Sequence, residues 1–85
     1  MSTSEKTILK QALYQYDMTL NPNINYMSIA LNNRMELLET LSSLHKKGYV
    51  NLQEMEEEET YLNLMQNNSF ELTTKALNTN RRTFR

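Results

Sequence analysis

The sequence predicts a small, mainly α-helical domain, and three patterns support this prediction. In residues 34–50, leucines repeat at helical spacing and the run closes on Gly48, the chain's single glycine. Near the N-terminus, Ser2 opens a pattern typical of a helix start. After Gly48, two short segments alternate apolar and polar residues, as strands do. Two fold classes stay open on these patterns: helices with a small β-hairpin, or an all-α helical bundle.

The first helix is predicted over residues 3–17. Ser2 followed three positions later by Glu5 is a capping-box pattern, in which each side chain bonds the other's backbone N–H. Apolar residues then recur on one helical face, namely Ile8, Leu9, Ala12, Leu13 and Tyr16. Pro22 between two asparagines ends the helix, because proline fixes φ and asparagine bonds its own backbone. Residues 24–26 follow as a brief edge strand.

The long helix is predicted to begin near Arg34. Its apolar stripe is Leu37, Leu38, Leu41 and Leu44. Lys46 and Lys47 lie in its last turn, where cations favour the helix dipole. Gly48 is expected to close the helix as a left-handed C-cap.

A helix-turn-helix unit is predicted, in which a short helix precedes the long helix that begins near Arg34. Ser28 is expected to cap a short helix over residues 29–31, and Asn32 and Asn33 form the break before the long helix. One continuous helix over residues 28–47 is the alternative.

The segment 52–65 supports two interpretations. Val50 with Leu52 and Leu62 with Leu64 alternate as in a hairpin whose tip spans residues 54–60, but this tip lacks the usual turn residues. Its glutamates favour a helix, which Asn51 would cap, and local patterns slightly favour that interpretation. Beyond it, residues 70–77 enter a short helix capped by Thr73 or Thr74. Residues 78–85 are expected to be a frayed basic tail.

Composition narrows the function. The chain has 85 residues, no cysteine and a net charge of −1, so we expect one cytoplasmic domain without disulfides or a membrane span. A core this small favours a homodimer. His45 is the only histidine and has no nucleophile and carboxylate placed with it, so we expect no enzyme activity. No cofactor or metal site is expected either, because the glutamate run lacks the spacing of a ligand loop.

Residues 41–50 (LSSLHKKGYV) and 70–76 (FELTTKA) resemble the winged helix-turn-helix superfamily, in its small bacterial or phage regulator type. There the third helix often ends L-x-x-L-x-x-x-G-Tyr-Val/Ile, a β-hairpin wing follows, and x-Leu-Thr-x-Lys-Gly leads into a last helix. Ala76 departs from this pattern by replacing glycine, and the wing tip is acidic. The resemblance favours the hairpin, and implies a winged helix-turn-helix domain over 1–78 and a basic tail over 79–85.

The resemblance also implies binding to double-stranded DNA in transcriptional or mobile-element regulation. Such proteins place the start of the second helix of the motif against base edges, and basic side chains against phosphates. The candidate DNA-binding residues are Asn32, Asn33, Arg34, Glu36, Lys46, Lys47, Arg81 and Arg82. Lys6 and Lys10 of the first helix are further candidates for phosphate contacts. Changing Arg34 and Lys47 together to alanine is expected to weaken DNA binding without unfolding the domain.

A second function is an interaction module that does not bind DNA. An acidic tip can engage a basic protein surface or imitate DNA phosphates. Its residues are Glu54, Glu56, Glu57, Glu58 and Glu59.

Overall fold

A computed structural model describes residues 1–31, 33–52 and 69–84, with the backbone only for Arg34 and Phe84. The helices are α1 (Thr3–Thr19), α2 (Arg34–Lys46) and α3 (Thr74–Leu77). The strands are β1 (Asn23–Asn25), β2 (Val50–Asn51) and β3 (Ser69–Leu72). Two 3₁₀ turns complete the described elements, the first over Tyr26–Ser28 and the second over Arg81–Phe84.

Helix α1 starts with the predicted capping box. The Glu5 N–H donates to Ser2 Oγ at 3.1 Å, and the Ser2 N–H donates to Glu5 Oε1 at 2.9 Å. The helix continues two residues beyond the predicted end and closes with Leu20 in the left-handed region, at φ 59°. Its buried face includes Ile8 and Leu13, so the predicted apolar stripe is confirmed.

The short helix expected over residues 29–31 is wrong. Asn25 Oδ1 accepts the Met27 N–H at 2.8 Å and caps a 3₁₀ turn instead, after which Ile29 is extended. Gln11 of α1 then bonds both backbone groups of Ala30, each at 2.8 Å. Because a side chain of α1 satisfies these groups, the segment need not form helical hydrogen bonds of its own.

Helix α2 begins and ends where the sequence places it. Asn33 caps its start by accepting the Met35 N–H at 2.8 Å, so the break is confirmed and the continuous helix over 28–47 is wrong. Gly48 follows with φ 84°, the expected left-handed conformation. The Tyr49 N–H donates to Leu44 O at 3.0 Å and turns the chain into β2.

The three strands form one antiparallel sheet in the order β1-β3-β2. Ile24 pairs with Phe70, and Val50 pairs with Leu72. Strand β3 corrects the expectation that residues 70–77 lead directly into a helix, since Phe70 and Leu72 alternate with exposed neighbours before Thr73 caps α3. The predicted hairpin or helix over 52–65, including the strand at Leu62–Leu64, lies outside the described residues from 53 onward.

The core lies between α1, α2 and the sheet. The Tyr26 and Phe70 rings are 5.7 Å apart at its centre, and Ala76 of α3 is fully buried against it. Helices with a small antiparallel sheet are therefore confirmed as the coarse fold class, and the all-α bundle is wrong. None of the helices in the described part of the chain has the length and apolar character to cross a membrane.

Candidate nucleic-acid interface on the long helix

The outer side of α2 carries a row of exposed side chains. These are Met35, Glu39, Ser42 and Lys46, at positions i, i+4, i+7 and i+11. At 100° per residue they fall on one stripe, opposite the buried Leu37, Leu41 and Leu44. We call these four residues the α2 stripe. It combines an apolar group, a carboxylate, a hydroxyl and an ammonium group on a single rigid element.

The start of α2 is arranged differently from the predicted reading site. Asn33 uses its side chain as the helix cap, so its Oδ1 is already engaged. Glu36 faces α1, where Ser4 Oγ donates to Glu36 Oε1 at 2.6 Å. It also lines a groove of about 480 Å³ between α1, the first 3₁₀ turn and α2. Asn32 and the Arg34 side chain lie outside the described residues.

The two lysines at the end of α2 have different roles. Lys46 is exposed and belongs to the α2 stripe. Lys47 turns toward α1, and its Nζ donates to Glu5 Oε1 at 2.9 Å and to Oε2 at 2.8 Å. Lys47 therefore neutralises a buried carboxylate, a role that no local pattern around residue 47 indicates.

Glu5 is 4% exposed and its carboxylate is surrounded by donors. Besides Lys47, it accepts the Ser2 N–H, and Ser43 Oγ lies 3.4 Å from Oε2. The hydrogen bond from Lys47 and that from the Ser2 backbone lower the pKa of Glu5 to about 2. The carboxylate therefore stays ionised at neutral pH and joins the start of α1 to the end of α2.

The turn after α2 is held by α3, through contacts that sequence reasoning missed. Lys75 Nζ donates to Lys47 O at 2.7 Å and lies 4.5 Å from the centre of the Tyr49 ring. Thr73 Oγ1 lies 2.6 Å from Gly48 O and 3.0 Å from Tyr49 O, and donates to this pair of carbonyls. These contacts fix the direction in which the chain leaves α2.

The two arginines of the second 3₁₀ turn also have different surroundings. Arg81 forms a two-point ion pair with Asp17 of α1, through Nε to Oδ2 at 2.9 Å and Nη2 to Oδ1 at 3.0 Å. This contact lowers the pKa of Asp17. Arg82 is exposed. The expected frayed tail is thus anchored to α1 through Arg81, which leaves Arg82 as the solvent-facing arginine of the described turn.

His45 and the acidic residues complete the sequence-derived candidates. His45 is exposed, and its Nδ1 lies 3.1 Å from Val50 O, to which a protonated Nδ1 donates. The acidic-tip candidates, Glu54 and Glu56 to Glu59, lie outside the described residues.

The described residues form a small α+β fold in which α2, a 13-residue helix, presents the α2 stripe to solvent. Comparison of the chain with protein-family models, with curated proteins and with solved structures finds no match. The functional argument therefore depends on the geometry of this surface.

Proposed function

We propose that this protein binds double-stranded DNA by placing the α2 stripe in the major groove, as a small regulator of transcription or of a mobile element. The observation that carries the proposal is the stripe itself, which runs from Met35 to Lys46 on one side of a 13-residue helix. Such a helix is about 20 Å long, and the major groove is about 12 Å wide and admits one helix.

The stripe offers side chains suited to base edges and backbone. Ser42 can donate or accept a hydrogen bond, and Glu39 can accept from a cytosine amino group. Met35 supplies apolar contact for a thymine methyl group. Lys46, at the end of the stripe, is suited to a phosphate. Asn33 and Glu36 are not assigned to this interface, because Asn33 Oδ1 caps α2 and Glu36 Oε1 accepts from Ser4 Oγ.

The order of elements supports the same proposal. Helix α2 ends at Lys46 and the chain turns at Gly48, β2 pairs antiparallel with β3, and Thr73 leads from β3 into α3. From α2 onward, this order agrees with what the resemblance to winged helix-turn-helix proteins implies. The helix that should precede the break is replaced by the extended segment at Ala30, which Gln11 ties to α1.

The first experiment measures binding to duplex DNA. Sequences enriched from a random duplex pool at low salt are titrated by fluorescence anisotropy over a range of salt concentrations. The logarithm of the binding constant should fall linearly with the logarithm of salt concentration, with a slope of about −0.9 for each neutralised phosphate. Lys46→Ala should make this slope shallower by about one. Lys6→Ala, an equal charge change on α1, should leave the slope unchanged, because a pose with the α2 stripe in the groove replaces the phosphate role that the sequence suggested for Lys6.

The second experiment tests base readout. Glu39→Gln should relax the preference at one base pair, because a good base contact contributes about 1–3 kcal/mol of discrimination. Absence of binding at low salt would remove the DNA proposal and leave the interaction module with its acidic run. Binding that Lys46→Ala and Lys6→Ala weaken equally would show that α2 is not the contact surface.

A further inference from the structure

The outward side of α1 carries large apolar side chains that the fold leaves in solvent. Tyr14 is 67% exposed and Met18 is 70% exposed. With Lys10 they form one row at positions i, i+4 and i+8, on the side of the helix opposite its buried stripe. We call these three residues the α1 row.

A shallow groove of about 440 Å³ lies beside Tyr14, lined by Lys10, Gln11 and Gln15. The amides of both glutamines are turned inward, since Gln11 bonds Ala30 and Gln15 bonds Ser28. Their methylene groups, together with the Lys10 stem, therefore face the groove. The surface of this groove is therefore mainly apolar.

The charges along this side of α1 are complementary to those of a second, antiparallel copy of the same helix. Lys10 lies one turn before Tyr14, and Asp17 lies almost one turn after it, so the aromatic ring stands between a cation and an anion. A second copy of α1 running in the opposite direction presents the reverse order. Its Asp17 then lies opposite Lys10, its Met18 lies against the Lys10 stem, and the two helix dipoles oppose each other favourably.

We propose that the α1 row is the interface of a symmetric homodimer, in which two α1 helices pair antiparallel with Tyr14 at the two-fold axis. Each contact then occurs twice, as a two-fold interface requires. The Asp17 side chain remains 47% exposed while it binds Arg81, so it can serve both cations. The paired surface is at the small end for protein interfaces, and the dissociation constant is expected to be on the order of micromolar. The proposal does not depend on DNA binding.

Sedimentation equilibrium without DNA tests the interface, over concentrations on the order of 0.1 μM to 100 μM, which bracket the expected dissociation constant. The wild type should show a monomer–dimer equilibrium. Tyr14→Asp should weaken the dimer by about 30-fold or more, as loss of a central aromatic anchor does. Met27→Asp is the matched control, because Met27 is also exposed, at 51%, but lies on the first 3₁₀ turn.

Thermal unfolding followed by circular dichroism checks that both variants fold. A wild type that stays monomeric at the highest concentration overturns the proposal. So does a dimer that Tyr14→Asp leaves intact, or one that Met27→Asp weakens equally.

The direction of pairing is tested by cross-linking, which is clean because the native chain has no cysteine. Lys10→Cys and Met18→Cys variants are prepared separately, mixed and oxidised. Antiparallel pairing about Tyr14 predicts that, in an equal mixture, nearly all links are disulfides between positions 10 and 18 of different copies. Links in the proportions of random pairing, or a predominance of 10–10 or 18–18 links, overturn it.

Discussion

Lys47 Nζ lies 2.8 Å from Glu5 Oε2 and joins two residues that are 42 positions apart. The contact fastens the end of α2 to the first turn of α1, where Ser2 and Glu5 already form the capping box. One carboxylate thus starts a helix and connects two helices. None of the described buried side-chain nitrogens or oxygens lacks a hydrogen-bond partner. For this carboxylate, Lys47 supplies the positive charge beside the Ser2 N–H and Ser43 Oγ.

Replacing Lys47 should destabilise the protein. Lys47→Met is expected to lower the free energy of unfolding by about 2 kcal/mol, because it leaves the Glu5 carboxylate buried without its cation. Urea denaturation measures the change. Lys46→Met, the neighbouring exposed lysine, should change stability by less than about 0.5 kcal/mol. Equal effects of the two variants would contradict the assigned role of Lys47.

The Lys47–Glu5 contact also makes the double change of Arg34 and Lys47 to alanine unsuitable as a test of DNA binding. Because Lys47 neutralises Glu5, its removal changes stability together with any effect on binding. Lys46 is the lysine whose removal tests the surface.

Stability should depend on pH through Glu5. The Lys47 and Ser2 hydrogen bonds hold its pKa at about 2, below the ordinary value of 4.5. The Glu5 carboxylate of the unfolded chain takes up a proton more readily than that of the folded protein. The stability that ionised Glu5 contributes is therefore complete above pH 4.5 and is lost as the pH falls towards 2. Urea midpoints measured across this range should therefore decline.

Glu5→Gln should flatten that decline. Asp17→Asn is the matched comparison, since the pKa of Asp17 is lowered by Arg81 but the side chain is half exposed. Solvent screening makes its effect on the acid limb the smaller of the two. A larger effect of Asp17→Asn would show that the Arg81 contact, rather than Lys47, governs the acid response.

Gly48→Ala should test the turn after α2. The nearest atom to an added Cβ is Lys75 Cδ at 3.9 Å, so there is room for a methyl group and the cost arises from φ 84° alone. We expect the free energy of unfolding to fall by about 1–2 kcal/mol. Gly48→Asn should cost less, because asparagine tolerates the left-handed region better. Equal losses would point to a steric cause instead.

Leu20→Asn should stabilise the protein. Leu20 closes α1 at φ 59° with its side chain 75% exposed, so it carries the backbone cost of the left-handed region while burying little surface. Asparagine should raise the free energy of unfolding by about 0.5–1 kcal/mol. Leu20→Ala, which removes the same exposed side chain but does not favour the left-handed region, should give no such gain. Thermal unfolding separates the two outcomes.

Features that depend on near neighbours were predictable from the sequence. The Ser2 capping box, the glycine at position 48 and the Thr73 cap each involve contacts within about four residues, so their residue types reveal them. Strand β3 was missed because Phe70 and Leu72 are only two apolar residues in alternation. Their strand identity comes from pairing with Ile24 and Val50, which are distant in the chain.

For the candidate surface too, local features were predictable from the sequence and long-range contacts were not. Periodicity placed the apolar stripe of α2 correctly, and with it the opposite, exposed side. It did not show that Glu36 turns to Ser4 or that Lys47 turns to Glu5. Both side chains are polar and lie on a helix, and only the position of α1 gives them their hydrogen-bond partners.

By itself the sequence determined where α1 and α2 begin, how α2 ends and which leucines enter the core, because helix caps and helical periodicity are local properties of the chain. Only the tertiary structure decided which charges face solvent and which segments become strands. Those outcomes depend on what another element brings within hydrogen-bonding distance, and residue types along the chain do not encode that distance directly.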